Sequence, residues 1–262
     1  MLIKKMTKII KIIFSISFIF IFNSYASENS FETWLNNFKK IAINEGISEE
    51  VVNNIMDNAK FLPKVIEYDR FQPEFYEDTF TYIKKRSSKK KVREGIRLYK
   101  KEKLIIDKVE NEFQVEKELL LALMGIETNF GKYLGKMDII SSLATLSFDK
   151  RRSEFFTKEL LILLSLVDKN IINKEILYGS WAGAFGNFQF MPRTIRNYAI
   201  DFNKNKIIEL KETEDSFASA ANYLSKIGWK KNQPCFFRIN LSNNIPKKYL
   251  NSSPRSIKNK KN

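Results

Sequence analysis

The stretch Leu120–Gly131 reads LLALMGIETNFG and sets a run of eight apolar or small residues, Leu119 to Ile126, against one carboxylate, Glu127, followed at once by Thr128, Asn129 and Phe130. An acid at the end of such a run is drawn away from water, and desolvation favours its neutral form. The C-terminal end of a helix acts in the same direction, because its partial negative charge opposes a carboxylate. A carboxyl held protonated near neutral pH is a general acid, able to hand a proton to a leaving oxygen. The pattern alone leaves a second reading open, a glutamate turned outward at a frayed helix end.

Few other residues compete for the chemistry. There is no histidine and a single cysteine, Cys235, which excludes Ser-His-Asp triads, Cys-His dyads, His-ligated zinc and any internal disulfide. Proton transfer in an enzyme of this composition falls to carboxylates. A twelve-residue frame from Asp201 to Glu212 places oxygen side chains at Asp201, Asn203, Asn205, Glu209 and Glu212, at the spacing of a calcium loop. Its sixth position, where the sharp turn wants glycine, is Lys206, and Lys204 adds a second cation, so the frame reads as a polar surface loop with no cofactor required. Six of the nine glycines fall between Gly125 and Gly186, which makes that region the natural place for a cleft.

The elements that would carry these residues are helical. Phe31, Trp34, Leu35, Phe38, Ile41 and Ala42 recur at helical spacing up to a stop at Gly46. Ser48 then reads as an N-cap, with Glu49 and Glu50 in the first turn and Val51, Val52, Ile55 and Met56 as the apolar stripe. A further set from Val92 through Val109 is read with its apolar face inward beneath a solvated lysine face. Helices follow over Glu116–Glu127, Thr157–Val167, Arg193–Tyr198 and Asp215–Lys226, and no segment alternates as a strand does. The Glu116–Glu127 helix, lacking a polar face, is read as buried all round.

Both ends differ from the middle. Lys4, Lys5, Lys8 and Lys11 precede the apolar stretch Ile12–Phe22, and Ser24-Tyr25-Ala26 supplies small residues for cleavage, so residues 1–26 read as a secretory signal peptide too short to serve as a membrane anchor. Removing it takes the formal charge from +15 to +11. After Asp215 there is no acid but ten Lys or Arg, and the basic end, residues 241–262, suits an anionic wall or membrane surface as well as it suits a solvated tail. No recognition motif supports a nucleic-acid partner.

GIETNFG, then SLATLSFDKRR from Ser142, then GSWAGAFGNFQFMP from Gly179, in this order and spacing, resembles the membrane-bound lytic transglycosylase B family. EYDRFQPEF from Glu67 and ANYLSKIGW from Ala221 extend the likeness to about residues 31–240. The resemblance implies a mainly α, lysozyme-like catalytic domain with little β structure, here residues 27–240, divided into an N-terminal helical subregion (27–110) and a core (111–240). It implies an exported enzyme that cleaves the glycan strands of peptidoglycan between N-acetylmuramic acid and N-acetylglucosamine, leaving 1,6-anhydro ends. By position it makes Glu127 the single catalytic acid, Ser180 and Gln189 substrate contacts, Tyr223 a cleft-lining aromatic, and Arg151 and Arg152 the family's arginine pair. It also brings an EF-hand-like loop to the Asp201 frame. The family's later segment, with a Tyr-Asn pair returning to the cleft, has no counterpart in Asn240–Asn262. A two-carboxylate muramidase using Asp138 or Asp149, and a non-catalytic wall-binding protein of the same fold, are the competing readings.

Overall fold

The computed structural model describes residues 30–72, 77–173 and 177–234. The segment read as a signal peptide, the basic end and Cys235 therefore lie outside the described residues. A first helix, α1, covers residues 30–44 and stops at Gly46, whose φ of +89° a side chain would oppose. Ser48 caps α2 (Glu49–Met56) by accepting the Val51 N–H, as its sequence position requires. Then come α3 (Pro63–Arg70), α4 (Thr79–Arg86), α5 (Lys89–Lys101), α6 (Lys103–Phe113) and α7 (Lys117–Glu127). Beyond them lie α8 (Ile139–Phe148), α9 (Ser153–Asp168), α10 (Pro192–Tyr198) and α11 (Thr213–Lys226).

The β structure among the described residues is a pair of two-residue antiparallel strands, β1 (Met137–Asp138) and β2 (Tyr178–Gly179), with Met137 opposite Gly179. Gly135 lets this crossing form: a Cβ there would sit 2.0 Å from the Gly179 carbonyl oxygen.

At the centre lies α8, in which every residue from Ile139 to Ser147 is buried. It packs on α9 and is crossed by α3, while α6 lies along α11 and α10 bridges α9 and α11. Phe31 and Trp34 of α1, with Phe61 from the segment between α2 and α3, close on Phe148 at the end of α8 in edge-on aromatic contacts with ring centroids 5.6–6.2 Å apart.

Two expectations change, and the expected boundary at residue 110 falls within a helix. The helix buried all round is α8; α7 buries Leu120, Met124 and Gly125 and leaves Ile126 exposed. The apolar set from Val92 to Val109 faces inward only in part: Tyr99, Ile105 and Val109 pack on the core, whereas Val92, Ile96 and Leu104 are exposed. Residue 110 falls inside α6, so the N-terminal subregion and the core share that helix.

Candidate active site

Glu127 is the last residue of α7, and more than a third of it is open to solvent. Desolvation on its protein side pushes its carboxyl above the ordinary glutamate range, and among the described residues no cation or hydrogen-bond donor engages it. The helix stops abruptly here: Asn129, Phe130 and Gly131 all have positive φ, at 51°, 60° and 78°. Two consecutive non-glycine residues in that region need a surrounding structure that holds them.

That structure is identifiable. Thr128, fully buried, donates its hydroxyl to the Asn187 carbonyl at 2.9 Å and accepts the Gly131 N–H at 3.0 Å. Asn187 is fixed in turn by its side-chain amide, which donates to the Lys211 carbonyl and the Ser216 hydroxyl, both at 3.0 Å. Phe130 wedges its ring between α5 and α7, against Gly95 and Gly125, where any Cβ would approach it to 3.3 and 2.7 Å. Lys91 of α5 donates to the Gly125 carbonyl at 2.7 Å, tying down one of the carbonyls near the end of α7.

The loop from β2 to α10 carries the other candidates. Ser180 closes a turn, its hydroxyl accepting the Ala184 N–H at 3.0 Å. Gln189, at φ +50°, donates its amide to the Leu134 carbonyl at 3.2 Å and the Gly186 carbonyl at 3.0 Å, which joins this loop to the segment following Glu127. Half-buried Tyr223 of α11 sets its ring against Phe190 and Tyr198, with centroids 5.9 and 5.0 Å away.

Arg151 and Arg152 turn toward an acid of their own protein. Arg151 Nε lies 2.7 Å from buried Asp69 on α3, Arg151 also donates to the Asp69 carbonyl at 2.8 Å, and Arg152 engages the other carboxylate oxygen. About two-fifths of each side chain remains open to solvent. Asp138 and Asp149 are likewise engaged: Asp138 caps α8 by accepting the Ile140 N–H at 3.0 Å, and Asp149 pairs with Arg70 at 2.8 Å.

The Asp201–Glu212 loop is closed by its own polar groups. Asp201 accepts the Asn205 and Lys206 N–H groups at 3.0 and 2.7 Å, and Asn205 donates to Glu209 at 2.7 Å. Buried Asp215 accepts the Phe202 and Glu209 N–H groups from beneath. Lys206 takes the left-handed turn itself, at φ +78°. Among the described residues no three His, Cys, Asp or Glu side chains group together as a metal shell.

The sequence model of the Transglycosylase SLT domain matches residues 30–261. The chain belongs to this family. The match runs past Gly228-Trp229, where the quoted motifs end, nearly to the last residue. Membrane-bound lytic murein transglycosylase B of Escherichia coli is 34% identical over 151 residues, which are 57% of this chain and 42% of that protein. SltB3 of Pseudomonas aeruginosa, solved with NAG-NAM-pentapeptide, superposes with a TM-score of 0.78 at 32% identity over 82% of this chain and 58% of that one. The Escherichia coli lytic transglycosylase Slt35, solved with bulgecin A, gives 0.69 at 30% identity over 76% and 65%. The chain thus spans about half the length of the first two relatives.

Within the SLT domain family the architecture is the helical, lysozyme-like one that the motifs implied. The supporting bonds of Thr128, and the residues Asn187 and Asp69 themselves, escape sequence reading. A buried threonine or asparagine has no periodic signature, and Asp69 lies 82 residues from its partner Arg151. Only the motif neighbourhoods, ETNFG, GNFQF and YDRFQ, point to them.

Proposed function

We propose that this protein is an exported lytic transglycosylase that cleaves the MurNAc-GlcNAc bond of peptidoglycan with Glu127 as its single acid and base. One observation carries the choice of mechanism. Glu127 ends its helix with a carboxyl pushed upward by desolvation and no partner among the described residues, while Asp138 and Asp149 are engaged as a helix cap and an ion pair. Protonated Glu127 gives its proton to the glycosidic oxygen as that bond breaks, and the substrate's N-acetyl group stabilises the charge developing at the anomeric carbon. Glu127, now a carboxylate, takes the proton of the C6 hydroxyl as its oxygen attacks that carbon and closes the anhydro ring. No water enters. Positioned proton transfer of this kind contributes roughly 10² to 10⁴ in rate.

Ser180, Gln189 and Tyr223 would line the glycan site. The solvent-facing parts of Arg151 and Arg152 would meet the peptide stem's carboxylates while Asp69 holds them in place. The crystallised relative SltB3, with NAG-NAM-pentapeptide and with NAG-anhNAM-pentapeptide, supports both the substrate class and the anhydro product. Export rests on the leader-like first 26 residues. The Asp201–Glu212 loop would fold without calcium.

Digestion of purified peptidoglycan followed by mass measurement tests the reading. Fragments should end in 1,6-anhydromuramic acid, one water lighter than hydrolysis products and unreactive to borohydride, and Asp138→Asn and Asp149→Asn should still release them. Reducible ends that vanish with either aspartate change would establish the two-carboxylate muramidase instead. Binding without release would leave a wall-binding protein.

A further inference from the structure

Helix α4 buries none of its eight residues. Phe80 and Ile83, three apart and so on one side of it, are 70% and 55% exposed. On α5, Val92 and Ile96 are 58% and 50% exposed and line an apolar groove of about 310 Å³ that ends against Ile126, next to Glu127. Helices α4 and α5, joined by Ser87 and Ser88, thus leave four large apolar side chains open to water, which soluble surfaces rarely do without a partner.

The charge on the same two helices says what covers them. Residues 79–101 hold ten Lys or Arg and one acid, Glu94. Among the described residues, Lys84, Lys89, Lys90, Arg93 and Lys100 make no ion pair. Lys89, Lys90 and Lys91 fill the first turn of α5, where no acid offsets them. Cations there oppose the helix dipole at about 0.3–1 kcal/mol each, a cost that helix formation does not explain.

We propose that the α4–α5 face is a membrane-docking surface for a bilayer of anionic phospholipid. Cations alone would suit any polyanion, but the exposed Phe80, Ile83, Val92 and Ile96 need an apolar phase lying beneath the anionic layer, which a bilayer supplies and a soluble polymer does not. A protein partner fits less well, since lysine is depleted at the centre of protein interfaces. Long lysine stems can lie along the apolar layer while their ammonium groups stay among the headgroups. Docking in this way holds the Glu127 end of α7 beside the membrane.

Co-sedimentation with vesicles tests this, using the chain from Ser27 onward, the proposed exported product. It should bind vesicles containing phosphatidylglycerol and ignore pure phosphatidylcholine. Each surface lysine near an anionic leaflet contributes about fivefold, so the double change Lys89→Ser, Lys90→Ser should weaken binding about 25-fold. The double change Phe80→Ser, Ile83→Ser should abolish the binding that survives in high salt, and both variants should melt as the parent does, because all four side chains are exposed. Failure to bind anionic vesicles, equal binding to phosphatidylcholine, or parental binding by both variants would overturn the proposal, the last by assigning the affinity to the basic C-terminal residues. Equally tight binding to soluble polyphosphate, unaffected by the Phe80 and Ile83 changes, would overturn it in favour of a polyanion surface.

Discussion

Glu127 combines two properties that oppose each other in most glutamates: it is reachable from solvent, yet desolvation raises its pKa. Its folded pKa lies above the unfolded value, so the neutral form is favoured on folding. The stability this contributes is fully present below the ordinary glutamate pKa and is lost as pH rises through the raised one. The general-acid form disappears over the same rise. Glycan cleavage should therefore show an alkaline limb set by Glu127. Glu127→Gln should reduce cleavage by at least 10³-fold on the order expected for a positioned proton donor, while its melting midpoint at pH 7 stays equal to the parent's or rises. Release of anhydro fragments measured against pH, beside a thermal melt of the variant, checks both; residual cleavage within a few-fold of the parent would remove Glu127 from its role. The expected role of this carboxyl came only from the resemblance, whereas its place at the end of a helix was legible, because an acid closing an apolar run is a local signal. The Arg151–Asp69–Arg152 cluster was not, because a guanidinium looks the same in sequence whether its acid belongs to the substrate or to a helix 82 residues away.

Among the elements, α8 shows what periodicity cannot reveal. With Ile139 to Ser147 all buried, the helix has no polar face, and without a change of polarity around the axis there is no 3.6-residue rhythm to read. In α5 the rhythm was present and held only in part: Tyr99 packs on the core, Val92 and Ile96 are exposed, and Gly95 makes the contact with Phe130. Gly125 forms the other side of that contact. Its substitution by alanine would gain helix propensity but force a methyl to 2.7 Å from a ring that Gly95 already confines. The net effect of Gly125→Ala should be a loss of about 1–2 kcal/mol, read as a lower denaturation midpoint at unchanged m, with reduced cleavage because α7 carries Glu127. The Asp201–Glu212 loop has the spacing of a calcium loop, and its polar groups bond to one another. Its oxygens are taken up by Asn205, Lys206 and Asn205's bond to Glu209. Saturation at 100 times a dissociation constant would add about 2.7 kcal/mol, so millimolar calcium should leave the melting temperature unchanged, and a chelator-reversible rise would show that Lys206 yields to an ion.

At the scale of the molecule, the helices before residue 110 and the core after it share buried contacts. The Lys60 and Leu62 N–H groups, between α2 and α3, donate to Ser141 and Thr145 of α8, both at 2.9 Å, so the N-terminal helices help to satisfy the polar side chains of the central helix. Ser48 binds Asp168 at the end of α9, and Phe31, Trp34 and Phe61 pack on Phe148. Asp69 completes the tie by holding Arg151 and Arg152 at the turn between α8 and α9. Elements that share buried contacts in this way lose them together, which predicts one cooperative thermal transition for the described region. Asp69→Ala tests the tie. It removes charge-assisted hydrogen bonds worth about 1–3 kcal/mol, and the stranded guanidiniums, already two-fifths exposed, can turn to water, which keeps the loss at the lower end of that range. The melting temperature should fall by about 2–4 °C for each kcal/mol lost, with the whole transition moving and its single step preserved. Calorimetry showing an early, separate step in the variant would mean that α1 to α3 form a unit of their own, merely latched to the core by Asp69.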